Sequence, residues 1–138
     1  MGNLRSHLER PKHVYLVDDD PDDRFLVYEA LMQVLPQVNV VEAMNGQHFF
    51  EIVEISELTL PSLIILDVNM PRMNGLETLR QIKSTPSLSM VPVVMYSTSE
   101  DPLLIKQAYE IGTSTFVTKP KSFNGLIEMI SQITTHFL

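Results

Sequence analysis

The chain has 138 residues, enough for one domain with a proper core, and its 44% hydrophobic and 20% charged content is that of an ordinary globule. A formal net charge of −7, with 10 scattered basic residues, argues against direct nucleic-acid binding, which rests on neutralising phosphates with Lys and Arg. The lack of cysteine excludes disulfides, thiolate zinc sites and cysteine nucleophiles; no apolar run approaches the roughly 18 residues of a membrane span and no secretory pattern opens the chain, so a cytoplasmic protein is expected.

Residues 1–12 are polar, aperiodic and closed by Pro11, and read as a loosely ordered leader before a domain over 13–138. Met1-Gly2-Asn3-Leu4-Arg5-Ser6 also fits the loose myristoylation pattern, which is short and has meaning only in a eukaryotic host. The first strand is His13-Val14-Tyr15-Leu16-Val17. It stops at Asp18-Asp19-Asp20-Pro21-Asp22-Asp23, five aspartates in six positions. Asp20 before Pro21 is a helix start, with further acids in the first turn. The first helix is expected over 21–35, with Val27, Ala30, Leu31 and Val34 as its buried stripe.

A weaker strand over 38–43 carries Asn39 and Glu42, which suits a sheet edge. Asn45-Gly46 is a turn, and a helix over about 46–56 follows, with Phe49, Ile52 and Val53 apolar. Leu63-Ile64-Ile65-Leu66 is apolar throughout, as a parallel strand covered on both faces requires, and it ends on Asp67. Pro71 and Asn74-Gly75 are turn formers before a helix over 75–84, and a polar loop surrounds Pro86. Strand four spans 91–96 with Pro92 at its start, and runs into Ser97-Thr98-Ser99-Glu100-Asp101. Helix four covers about 100–111, closed by Gly112; strand five is 115–118, ending at Lys119-Pro120; helix five starts near Ser122.

Strict alternation of five strands and five helices implies an α/β fold, a parallel sheet between helices on both faces. The carboxyl ends of its strands then share one edge, where ligands bind in such sheets. Strands one, three, four and five end on Asp18-Asp19, Asp67, Ser97 and Lys119. Grouped carboxylates repel by about 4 kcal/mol per pair at ~4 Å and an effective dielectric near 20. A hard cation relieves this, and Mg²⁺ takes one or two carboxylates while leaving room for phosphate oxygens. With Mg²⁺ and the Lys119 ammonium nearby, the Asp67 carboxylate can attack phosphorus and form an aspartyl phosphate, and Ser97 can donate its hydroxyl to a phosphate oxygen.

These residues resemble the receiver domain of two-component response regulators. Val17-Asp18-Asp19 is similar to the family's acidic pair, and Leu66-Asp67-Val68-Asn69-Met70-Pro71 to its phosphorylation motif. Met73-Asn74-Gly75 is similar to the turn that follows, Met95-Tyr96-Ser97 to the switch hydroxyl, and Phe116-Val117-Thr118-Lys119-Pro120 to the lysine signature. The resemblance covers residues 13 to about 135, with typical spacings of 30 residues from Asp67 to Ser97 and 22 from Ser97 to Lys119. It implies the flavodoxin-like (βα)5 three-layer sandwich with strand order 2-1-3-4-5.

The resemblance implies phosphoryl transfer from a sensor histidine kinase, or a histidine phosphotransfer protein, to Asp67. Asp19, Asp67 and the backbone carbonyl of Asn69 would bind Mg²⁺ directly, and Asp18 through water. Ser97 and Lys119 would hold the phosphoryl group, with Ser97 and Phe116 as the switch pair. Output would run through helix four, strand five and helix five to a downstream protein target or a second copy of the chain. The Lys119–Pro120 bond would be cis. Ser at 97 replaces the commoner Thr, and the usual aromatic after the Lys-Pro pair comes late, at Phe123. The Pro21-Asp22-Asp23-Arg24 start and the Lys119-Pro120 ending also resemble stand-alone receivers paired with bacterial phytochrome-type kinases.

Plainer readings stand beside these. Asp20, Asp22 and Asp23 read as capping and solvated acids, and Phe116 also reads as core. The 8 methionines read as packing, with Met70 and Met73 open to exposure beside the site, and the four histidines show no ligand spacing. The alternative function is a Mg²⁺-dependent phosphohydrolase with Asp67 as nucleophile, but Asn69 stands where its general acid would be needed and no cap insert exists. Nucleotide or flavin binding lacks a Gly-rich phosphate loop. The chain is therefore expected to be a single-domain switch without an effector, catalysing only its own phosphorylation and dephosphorylation.

Overall fold

The computed structural model describes residues 11–55, 60–70 and 73–138, so most of the leader and its acylation pattern lie outside the described residues. Five strands, β1 (His13–Val17), β2 (Asn39–Ala43), β3 (Leu63–Asp67), β4 (Val93–Ser97) and β5 (Thr115–Thr118), form one parallel sheet in the order 2-1-3-4-5. They alternate with helices α1 (Pro21–Val34), α2 (Gly46–Ile55), α3 (Gly75–Ser84), α4 (Pro102–Ile111) and α5 (Phe123–Phe137). The expected fold and strand order are both observed. None of the described helices is long and apolar enough to cross a membrane.

The unbroken apolar character of β3 has its reason in two packed layers. Leu63 and Ile65 face one way, joining Val27, Ala30 and Leu31 of α1 with Leu126, Ile130 and Ile133 of α5. Ile64 and Leu66 face the other way, joining Phe49 of α2, Leu79 and Ile82 of α3, and Ala108 of α4. Period-two alternation feeds both cores from one strand. The mixed strand β2 takes the edge beside β1, as its Asn39 and Glu42 require.

Helix starts follow local chemistry. Asp20 accepts from the Asp22 and Asp23 amides, Asn74 from Glu77, Asp101 from Leu103 and Ser122 from Gly125, each satisfying an orphan donor. Strand β4 begins at Val93, two residues later than expected, because Pro92 has no amide to give the ladder; its carbonyl still accepts from Ile64 at 3.0 Å. Met70 is buried at 7% exposure and Met73 is half-buried. Met70 packs into the α2–α4 layer, so it is core rather than a surface residue beside the site.

Candidate functional site

Sheet register builds the site. Val17 pairs with Leu66, so Asp18 and Asp67 leave the sheet side by side. Asp67 pairs with Tyr96, and Ser97 with Thr118, which brings Ser97 and Lys119 to the same edge. The Lys119 amide donates to the Ser97 carbonyl at 2.8 Å and fixes the start of the β5–α5 loop. The loop after Asp67 is held by the Gly75 amide, which donates to the Val68 carbonyl at 2.9 Å. A Cβ at Gly75 would lie 2.5 Å from the Asp67 carbonyl oxygen and 2.6 Å from Val68 Cα. Asn74-Gly75 is therefore a helix cap followed by a close backbone approach, and not only a turn.

The acids converge as expected. Carboxylate oxygens of Asp18, Asp19 and Asp67 all lie within 4.8 Å of one another. Asp18 and Asp67 are buried, and Asp19 is exposed at the mouth. This all-oxygen donor set with an open side fits a hard divalent cation.

Lys119 supplies the opposing charge. Its Nζ stands 2.9 Å from Asp23 Oδ2, 3.3 Å from Asp67 Oδ1 and 3.6 Å from Asp18 Oδ2. Burial pulls the ammonium's pKa down, but the bond to Asp23 and the charges of Asp18 and Asp67 outweigh it, and the net shift is upward. Lys119 is thus a fixed cation.

Asp67 behaves differently. Burial, then the charge of Asp18, push its carboxyl from an ordinary 3.8 up to about 7; the charge of Lys119 and the Asn69 amide, which donates to Oδ1 at 3.4 Å, pull the other way. One cation does not neutralise this cluster of acids, and the Asp67 carboxyl titrates around neutrality, well above the usual carboxylate range.

Ser97 is fully buried, and its Oγ accepts from the Ser99 amide at 3.0 Å. That bond uses an acceptor lone pair and leaves the hydroxyl hydrogen to be given away. Phe116 is half-buried against the α2–α4 layer, and its amide donates to the exposed Tyr109 hydroxyl at 3.1 Å. The Lys119–Pro120 bond, which the resemblance implies to be cis, is trans. Trans is the lower-energy isomer, and it already brings the ammonium to three carboxylates.

Three residues of the site were not singled out from sequence. Asp23, read as a solvated acid, binds Lys119. Tyr96 is only 4% exposed; its hydroxyl donates to Asp18 Oδ2, and its ring lies 4.6 Å from the Lys119 ammonium. Burial, then the charge of Asp18, push the phenol's pKa upward, so it stays a donor. Arg24 donates to the Asp18 carbonyl at 2.6 Å and pairs with Glu42 at 3.1 Å, anchoring α1 over the β1 end. A buried tyrosine needs a hydroxyl partner, and at a strand end beside acids that partner is a carboxylate; this signal was available for Tyr96.

The chain as a whole is similar to known proteins. Response regulator Rcp1 of Synechocystis is 30% identical over 132 residues, which cover 93% of this chain and 90% of that protein. The crystal structure of the phosphorylated cyanobacterial phytochrome response regulator RcpA superposes with a TM-score of 0.84 at 30% identity, covering 92% of this chain and 94% of that one. The Mn²⁺-bound form of Rcp1 gives 0.82 at 30% identity, over 93% and 95% of the two chains. The response regulator receiver domain model matches residues 14–131, and on this likeness the chain belongs to the receiver domains of two-component response regulators.

Proposed function

We infer that Asp67 is the phospho-acceptor of this receiver and that Mg²⁺ is the cation of its acidic pocket, held by Asp18, Asp19, Asp67 and the Asn69 carbonyl. The observation that carries this reading is the meeting of Asp67, Asp18 and Lys119 at one buried strand edge. A bound Mg²⁺ supplies charge neutralisation at the phosphoryl oxygens. An Asp67 carboxylate oxygen bonds to phosphorus as the bond from phosphorus to the donor's imidazole nitrogen breaks; that nitrogen leaves with the bonding pair. Lys119 offsets the charge on the phosphoryl oxygens, and Ser97 turns its free hydroxyl hydrogen to one of them.

The added group brings close to two negative charges. Drawing Ser97 and Lys119 towards it moves the ends of β4 and β5, and with them the face of α4, β5 and α5 that carries Phe116. The unit of function is residues 13–138, the compartment the cytoplasm, and the donor a sensor histidine kinase or histidine phosphotransfer protein. The likeness to the cyanobacterial phytochrome response regulator RcpA supports a phytochrome-type kinase as the input. The output is a protein target or a second copy of the chain.

Acetyl phosphate with Mg²⁺ should label the chain once and slowly, and chelation should stop it. Multiple-turnover hydrolysis of assorted phosphomonoesters would instead establish a phosphohydrolase and overturn this reading.

A further inference from the structure

We propose that Asp23 is a positioning residue that competes with the phosphoryl group for Lys119, so that the first turn of α1 sets how readily the switch closes. This inference rests on the reading of Asp67 as phospho-acceptor. Among the three carboxylates around Lys119 the shortest contact is to Asp23, at 2.9 Å, and it is a hydrogen bond. Asp67 is farther, at 3.3 Å. The ammonium is confined below by the Tyr96 ring, and its side chain is 16% exposed while that of Asp23 is 34% exposed. The pair is therefore screened less than a surface salt bridge.

Position gives the contact its consequence. Asp23 is the third residue of α1 and, with Lys119, Thr98, Glu100, Thr118 and Lys121, lines a cavity of about 500 Å³ whose lining does not include Asp18 or Asp67. A phosphoryl group on Asp67 draws the ammonium towards itself. Asp23 must then release it and lose a charge-assisted bond, or share it and hold it more weakly. The Asp23 carboxylate thereby favours the unphosphorylated arrangement. Asp22, its neighbour on the same turn, carries the same charge and the same place near the helix dipole, but the described ion pairs of Lys119 are with Asp18, Asp23 and Asp67 only.

The test uses beryllofluoride, an anion complex that adds to a carboxylate oxygen in place of a phosphoryl group, titrated at saturating Mg²⁺ so that metal affinity drops out. Asp23→Asn should tighten beryllofluoride by about threefold to tenfold, the range expected for removing one competing, partly buried ion pair. Asp22→Asn should leave it unchanged, and in a Lys119→Met background Asp23→Asn should have no effect. Asp23→Ser repeats the experiment with a smaller side chain. Unchanged or weaker binding in both Asp23 variants, an equal gain in Asp22→Asn, or a gain that persists without Lys119 would each overturn the proposal while leaving Asp67 as acceptor. A wild-type chain that binds no beryllofluoride with Mg²⁺ would overturn the acceptor reading and this inference with it.

Discussion

Lys119→Met should destabilise the metal-free protein by about 2–3 kcal/mol at pH 8, below the range for breaking a fully buried pair because part of the site reaches water. The substitution leaves Asp18, Asp23 and Asp67 facing one another without their shared cation. The pH dependence has a definite sign. Asp67 has a folded pKa of about 7 against an ordinary 3.8, so between these values the folded chain holds a proton that the unfolded chain has lost. Stability from this group therefore falls as pH rises through that window. Lys119 is one of the causes that lower this pKa, so removing it pushes Asp67 further up and lets protonation relieve more of the strain at low pH. The loss should thus be smaller at pH 5 than at pH 8, and Mg²⁺ should recover part of it. Urea unfolding at the two pH values, with and without Mg²⁺, measures this; a loss independent of both would contradict the electrostatic account of the pocket.

Gly75→Ala should cost about 2–3 kcal/mol, the upper range for forcing extra volume into a packed site. Ordinary overpacking is relieved by side chains turning aside. Here the atoms met are the Asp67 carbonyl oxygen at 2.5 Å and Val68 Cα at 2.6 Å, and backbone cannot turn aside. The alternative is for α3 to withdraw, which breaks the 2.9 Å bond from the Gly75 amide to Val68 and loosens the loop that follows Asp67. The variant should therefore lose labelling rate along with stability. Denaturation together with acetyl phosphate labelling checks both, and a variant within about 0.5 kcal/mol of wild type, the scatter of neutral surface changes, would show that the approach is not tight.

What the sequence made legible is what sharp polarity boundaries mark. Four strands end abruptly on Asp18-Asp19, Asp67, Ser97 and Lys119, and a parallel sheet leaves those ends no other place than one edge. The edge strand was legible because Asn39 and Glu42 do not suit burial on two faces. The rest turned on orientation. Whether Asp23 caps, faces water or reaches Lys119 depends on the azimuth of α1, which a run of acids does not encode. Tyr96 looked like one more apolar strand residue, and only its face of the sheet brings the hydroxyl to Asp18. Met70 follows a motif at the mouth, yet the chain turns it back into the α2–α4 layer.

One buried carboxylate, Asp67, is expected to receive the phosphoryl group. The most direct measurement is mass spectrometry of the intact chain and of its peptides after acetyl phosphate and Mg²⁺, for wild type and for Asp67→Asn. The wild type should carry a single phosphoryl group, on the peptide that contains Asp67, and the variant none anywhere. Labelling that survives Asp67→Asn at an undiminished rate, or that maps to another residue in the wild type, would contradict it.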